Sequence, residues 1–332
     1  MNKQNDDFGF HTYPDDTVGA IRIGISSCLL GEEVRWNGGH TRDAYLTETL
    51  GEYFEWVPVC PEEEVGMGVP RERVRLVGEP DNPRMVGIES GEDWTERMTE
   101  YAQNRVEELQ ERNLHGYILK KGSPSCSYQT IHVLGDDGDP TGESRGLFAR
   151  ELLSRTSLLP VEDEGRLHDS DLRENFIERI FAFYRWRELT RNDPSPEDLV
   201  EFHTAHKITL MAHHPEKARE LGRLVSDAGN GTFSDRLTQY GTSFMETMDV
   251  NATPGRHANA MNHLQGYLRD YLTDPDRQEL THEINKYREG ITPLIVPVTL
   301  LCHHFRKHPV DWVMKQTYLA PYPEELSLRN HV

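Results

Sequence analysis

"IRIGISSCLLG", residues 21–31, decides how the first half of this chain is read. The run from Ile21 to Ile25 is apolar and β-prone, and it stops abruptly on Ser26, Ser27 and Cys28, with Gly31 beyond. An apolar run bounded by turn residues reads as a strand. The segments downstream repeat the theme. "RDAYLTETLGEYF" (42–54) is expected as a helix and "EWVPVC" (55–60) as a strand; "RVRLVG" (73–78) and "RMVGIE" (84–89) read as a hairpin around "EPDNP". Between residues 93 and 113, Trp94, Met98, Tyr101, Ala102, Val106 and Leu109 fall on one helical face. "HGYILKKG" (115–122) is another strand, "SRGLFARELLSR" (144–155) a helix and "SLLPV" (157–161) a last strand. Alternation of this kind predicts an α/β domain over 20–162, Rossmann-like and three-layered, on a mainly parallel sheet, after a disordered leader at 1–19.

The character changes near "EDEGRLHDSD" (162–171), and residues 163–332 read as an all-α domain. Leu172, Phe176, Ile180, Phe181 and Tyr184 line one face of its first helix. Ser195 caps the next, with Pro196 in the first turn and Glu197 and Asp198 near the positive end of the helix dipole. Further helices are expected at 215–227, 232–249, 255–273, 276–289 and 293–308.

Bulk properties narrow the possibilities. With 332 residues the chain exceeds what one hydrophobic core usually holds. Its longest apolar run, "PLIVPVTLLC" (293–302), holds two prolines and is well short of the roughly 20 residues a membrane span needs. The polar, acidic start lacks the features of a secretion signal. The expectation is a cytoplasmic protein with no membrane partner. The net charge is -20, of which -16 lies before residue 166. That acidity argues against phosphate-backbone binding by the first half; the nearly neutral second half leaves nucleic acid open and unsupported.

Four cysteines, Cys28, Cys60, Cys126 and Cys302, are too few for a disulfide scaffold in a chain this long. Three of them lie just past the carboxyl ends of expected strands, and in an open parallel sheet those ends share the edge where ligands bind. They read either as three separate buried thiols or as one ligand set. No CxxC pair marks a four-ligand zinc site. Three thiolates on an iron–sulfur cluster would leave one iron open for chemistry. Glu62 in "CPE" and Ser123 in "GSPSC" stand beside two of the cysteines, and a carboxylate and a hydroxyl are the parts proton transfer needs. Eleven of the sixteen histidines follow residue 200. His203 and His206 share a helix face and are weak candidates for a second metal site, with packed core histidines the favoured reading; Cys302 reads as a packed thiol.

"ISSCLLGEEVRWNGG", "VCPEEEVGMGVPRE" and "KGSPSC" together resemble the thiouracil desulfurase family, over about residues 20–162. "EFHTAHKITLMAH" (201–213), "RHANAMNHLQGYL" (256–268), "REGITPLIVPVTLLCHH" (288–304) and "YLAPYPEELSLRN" (318–330) resemble the YbgA-like domain of unknown function. The first resemblance implies a [4Fe–4S] cluster held by Cys28, Cys60 and Cys126, with Glu62 and Ser123 as catalytic carboxylate and serine. It implies a non-redox desulfurase of sulfur metabolism that takes sulfur from a small thiolated base such as 2-thiouracil. "GMGVP" (66–70) replaces the family's usual glycine pair, which bears on substrate fit. Two other readings stand beside it: a redox or metal sensor with a three-cysteine cluster or zinc, whose helical domain meets a protein partner, and a protein whose helical domain presents thiolated RNA.

Overall fold

The computed structural model describes residues 10, 21–135, 137–226 and 232–331. The leader expected at 1–19 lies outside these, apart from Phe10, which is buried in the helical core. The chain divides into two compact units between Asp169 and Ser170.

The first unit runs β1 (Arg22–Ser26), β2 (Glu55–Val59), β3 (Val74–Glu79), β4 (Asn82–Gly87), α1 (Thr95–Glu111), β5 (Leu114–Leu119), β6 (Ile131–Leu134), β7 (Pro140–Ser144), α2 (Leu147–Arg155) and β8 (Val161–Asp163). One sheet is wholly parallel, in the order β2-β1-β5-β8. The two central strands, β1 and β5, are buried along nearly their whole length, as expected of parallel strands covered on both faces. Val106 and Leu109 of α1 and Phe148 and Leu152 of α2 pack with Val59, Tyr117 and Val161 of the sheet. Gly24 in β1 is required by this packing: a Cβ there would sit 2.2 Å from the buried Tyr117 ring. Ser26 lies opposite Val59 and Ile25 opposite Ile118, so β1, β2 and β5 end side by side.

The second sheet, β4-β3-β6-β7, is mixed. The β3–β4 hairpin was legible; the β6–β7 hairpin was not, since "GDDGDPTGES" (135–144) reads as an acidic loop. β7 is an edge strand with little buried side-chain surface, so it carries no apolar alternation to detect. A second difference is the helix expected at 42–54. The segment forms a π-helical turn, Tyr45–Thr49, and a 3-10 turn, Leu50–Glu52, with Leu46 and Leu50 buried inside them and Phe54 buried just beyond. Thr47, Thr49 and Gly51 are poor helix formers, and two buried leucines do not overcome that.

The second unit contains α3 (Ser170–Arg191), α4 (Pro196–His213), α5 (Pro215–Ser226), α6 (Phe233–Met248), α7 (Pro254–Gly266), α8 (Asp274–Arg288), α9 (Ile295–Lys307) and the short α10 (Asp311–Met314). The molecule is thus α/β followed by all-α. Ser195 and Asp198 form a reciprocal capping box on α4. Thr232, Thr253 and Thr273 each accept a backbone N–H at the start of α6, α7 and α8. Thr273 explains why α7 is shorter than the expected 255–273: the chain leaves the helix after Gly266 and starts the next at a capped threonine. Among the described residues no helix is long and apolar enough to cross a membrane.

Candidate functional site

Three loops leave the carboxyl ends of β1, β2 and β5 and surround a cavity of about 250 Å³. After β1 the chain makes a 3-10 turn over Ser27–Leu29, pinned by Thr41 N–H donating to the Cys28 carbonyl at 2.9 Å. After β2 comes Cys60, whose backbone N–H donates to Glu64 Oε1 at 3.0 Å. After β5, Lys120 N–H donates to Ser26 Oγ at 2.9 Å, and Gly122 turns the chain with a φ of 73°. The carbonyls of Pro124, Ser125 and Ser127 then accept the N–H groups of Leu147, Ala149 and Gly146, at 3.0, 3.1 and 3.0 Å. These donors at the start of α2 have no partner within their own helix, so the helix end fixes the loop. Gly146 permits the approach: a Cβ there would lie 2.4 Å from the Ser125 carbonyl oxygen.

Cys28, Cys60 and Cys126 all line this cavity, as do Glu62 and Ser123. The structure therefore brings together the five residues singled out from the sequence. All three thiols are free. Burial pushes each thiol up from its ordinary value: Cys28 moderately, Cys60 to about 11, and Cys126, beside Glu62, further still. A bare thiolate here is costly, and a cation among the three sulfurs would relieve the cost. Among the described residues no three His, Cys, Asp or Glu side chains gather closely enough to hold one metal ion. Three cysteines on one cavity make an all-sulfur donor set, the kind that holds iron–sulfur groups.

Glu62 is the best-held group of the site. Arg71 donates twice to its Oε2, from Nη2 at 2.7 Å and Nε at 3.1 Å, and a third time, from Nη1, to the Gly68 carbonyl at 2.9 Å. Both side chains are largely buried, Arg71 at 6% exposure and Glu62 at 14%. Oε1 of Glu62 accepts from Ser123 Oγ at 3.0 Å and from Ser125 Oγ at 2.6 Å. Arg71 also ties the loops together, its backbone N–H donating to the Trp36 carbonyl at 2.8 Å. Trp36 stands at the rim, half-exposed, with the Arg73 guanidinium 5.6 Å from its ring centre. The described lining holds five cations, Arg35, Arg71, Arg73, Lys120 and Lys121, and Glu62 as its sole acid. Arg71 is paired with Glu62 and Lys120 with Glu164, and burial still holds all three thiols above their ordinary value, so these cations ease the cost of a thiolate without cancelling it.

Arg71, Ser125 and Trp36 escaped sequence reasoning. Arg71 follows a glycine-containing loop and Ser125 sits between Pro124 and a cysteine; nothing in spacing alone connects either to Glu62. The acidic stretch 135–144 contributes no described residue to the cavity.

The histidine candidates have other partners. His203 Nδ1 lies 3.1 Å from the Tyr240 hydroxyl and His206 Nδ1 2.8 Å from the Phe202 carbonyl oxygen. Burial lowers both rings, His203 to about 4 and His206 to about 3. Cys302 is buried in α9.

Comparison with known proteins falls along the same division. The 2-thiouracil desulfurase family matches residues 23–164, and a protein family of unknown function, DUF1722, matches residues 207–323. The chain is 36% identical over 113 residues to the uncharacterized protein YbbK of Bacillus subtilis (strain 168), covering 32% of this chain and 74% of YbbK. It is 29% identical over 153 residues to the uncharacterized protein YbgA of Escherichia coli (strain K12), covering 46% of this chain and 90% of YbgA. A solved structure of the [4Fe-4S]-dependent thiouracil desulfidase TudS is 28% identical; the match covers 45% of this chain and 94% of that one, with a TM-score of 0.36. Through residues 23–164 the chain belongs to the 2-thiouracil desulfurase family, and it carries a DUF1722 domain behind them.

Proposed function

We propose that the α/β unit removes sulfur from a small thiolated base such as 2-thiouracil, using a [4Fe–4S] cluster held by Cys28, Cys60 and Cys126. One observation carries this reading: cysteines from three separate strand ends and the Glu62–Ser123 pair line a single cavity. Family membership supports the same chemistry. The net change turns a C=S bond and water into a C=O bond and sulfide, with no net electron transfer. A bound cluster would supply a Lewis-acidic iron for the thiocarbonyl sulfur. The protein supplies the rest. The Glu62 carboxylate takes the proton of the attacking water and returns it to the departing sulfur or the ring. Arg71 keeps the carboxylate aimed through Oε2, and the Ser123 hydroxyl donates to Oε1. The cationic lining steadies the sulfide that forms. The protein acts in the cytoplasm.

Anaerobic purification followed by iron, acid-labile sulfide and zinc analysis tests the reading. Iron and sulfide in equal amounts, lost in Cys28→Ala, together with uracil formation from 2-thiouracil, are expected. Zinc alone, or no metal after anaerobic reconstitution and no uracil, overturns it.

A second reading, in which the helical unit presents thiolated RNA, draws on one surface feature. Tyr267 packs edge-on to Trp312 at 4.8 Å, with Lys207 5.9 Å from the Trp312 ring centre. Tyr271, 56% exposed, stacks on His308 at 5.3 Å. Exposed rings beside cations are how single-stranded nucleic acid is held. RNA affinity that falls steeply with salt, and falls again in Tyr271→Ala, is expected; affinity indifferent to both removes this reading.

A further inference from the structure

We propose that Ser125 is a further positioning residue for Glu62, beside a Ser123 whose hydroxyl is shared between Glu62 and the turn that presents Cys126. The inference rests on the desulfurase reading of this cavity, in which Ser123 alone was singled out from the sequence.

Hydrogen-bond capacity separates the two. A serine hydroxyl has one proton to give and two lone pairs to fill. Ser123 Oγ accepts the backbone N–H of Ser125 at 3.3 Å and that of Cys126 at 3.2 Å, and has one proton for Glu62 Oε1 at 3.0 Å or Ser125 Oγ at 2.9 Å. The two amides and that one proton exhaust it. Any further bond to a water or a substrate would release one of the two amides that shape the turn before Cys126. Ser123 is thus a local side-chain-to-backbone cap that also reaches Glu62.

Ser125 is placed differently. Its oxygen lies 2.6 Å from Glu62 Oε1, the short range of a hydroxyl donating to a carboxylate. Its other polar neighbours are Ser123 Oγ at 2.9 Å and Cys126 Sγ at 3.8 Å. The residue has no exposed surface, so bulk water does not take the place of a missing hydroxyl. Its backbone is fixed independently, by Ala149 N–H donating to its carbonyl and by the close approach of Gly146. A rigid hydroxyl on Oε1 and the Arg71 fork on Oε2 together remove the rotation of the Glu62 carboxylate. Removing the Ser125 hydroxyl leaves Oε1 with the longer Ser123 bond alone and loosens the carboxylate.

The test compares wild type, Ser123→Ala, Ser125→Ala, Glu62→Gln and the Glu62→Gln/Ser125→Ala double variant, all purified anaerobically and assayed with 2-thiouracil. Ser125→Ala is expected to retain wild-type iron and sulfide content and KM, while kcat falls between about 10- and 100-fold, as for a lost hydrogen bond to a charged group. In the Glu62→Gln background the same change is expected to cost nothing further, because Ser125 acts through Glu62. Ser123→Ala is expected to lower iron content. Should Ser125→Ala fail to fold, Ser125→Gly is measured instead, with the same pattern expected. Full additivity of Glu62→Gln and Ser125→Ala, or an unchanged kcat in Ser125→Ala, overturns the assignment. A wild-type protein that takes up no iron and forms no uracil defeats the desulfurase reading itself, and Ser125 loses its role with it.

Discussion

Each unit of this molecule is organised around an arginine that grips glutamate, and the two grips are built to opposite ends. In the α/β unit, Arg71 holds Glu62 at the wall of an open cavity, on loops that leave three strand ends. In the helical unit, Arg329 donates to Glu174 Oε1 at 3.0 Å and to the Tyr318 carbonyl at 2.7 Å, with the rings of Tyr318 and Tyr322 beside it. Glu178, next to it, pairs with His213 at 3.1 Å, and the other nitrogen of that ring lies 2.6 Å from the Val250 carbonyl oxygen. Burial works against the charge of Glu178, but His213 and Arg329 outweigh it and hold its carboxyl down at about 2. A paired charge facing a cavity is free to act on a ligand; one sealed among tyrosines can only hold helices together.

Substitution should separate these roles cleanly. Glu62→Gln keeps the shape and removes the base. Turnover of 2-thiouracil per folded molecule is expected to fall by about 10² to 10⁴, the usual contribution of a positioned acid–base group, beyond any stability lost by leaving the buried Arg71 without its counter-charge. Equal losses of activity and stability would mean that Glu62 is structural. Arg329→Met should do the reverse. It strands Glu174 and Glu178 without their cation, and breaking such a buried pair costs about 3–5 kcal/mol. Urea unfolding should register that loss, while turnover per folded molecule stays near wild type. A stable Arg329→Met protein would show that the surrounding tyrosines, not the ion pair, bind the C-terminal segment to α3.

The same contrast explains how much of the molecule was legible. The strands that lead to Cys28, Cys60 and Cys126 could be read because apolar runs stopping at turn residues are local signals. The rule that ligands sit at the carboxyl edge of a parallel sheet did the rest. Arg71 and Ser125 could not be read, because their meaning depends on three loops closing on one carboxylate. Ser125 and Glu62 are 63 positions apart, and no periodicity relates them. The Arg329 grip was equally hidden, 155 positions from Glu174. The short turns at Tyr45–Thr49 and the polar edge strand β7 were misread for a third reason: both are shaped by neighbours in space, against weak or contrary local preference.

Arg71→Lys probes the open grip more finely. A lysine keeps the charge but has no planar fork, so it cannot give Glu62 Oε2 two bonds and also reach the Gly68 carbonyl. An approximately tenfold lower kcat with normal iron content is expected. A lysine variant as active as wild type would show that charge alone, without geometry, is what Glu62 needs.

The smallest effect belongs to the closed side and appears as a slope. Burial lowers His203 to about 4, and His206 and His257 to about 3, from an ordinary 6.5. An unfolded chain binds protons at these rings from about pH 6.5 downward, while the folded chain does not until each lowered value is reached. Unfolding therefore takes up protons across that window, and stability falls as the solution is acidified. Glu178 adds to the trend further down: its stabilisation is complete above its ordinary value of 4.5 and disappears as pH falls toward 2. Glu174, whose carboxyl burial raises despite Arg329, acts in the opposite sense, adding stability as pH falls through its raised value toward 4.5, and so softens the slope above 4.5. Each histidine that protonates on unfolding contributes about 1.4 kcal/mol per pH unit. His206 lies between Phe202 and Phe244, with ring centres 4.2 and 5.2 Å away, so His206→Phe replaces it with a ring of similar shape and no proton. Unfolding free energies measured from pH 7 to pH 4.5 should fall less steeply in that variant, by one proton's share. An unchanged slope would mean that His206 already carries its proton when folded, and that the aromatic cluster on α4 and α6 tolerates a charge that its burial argues against.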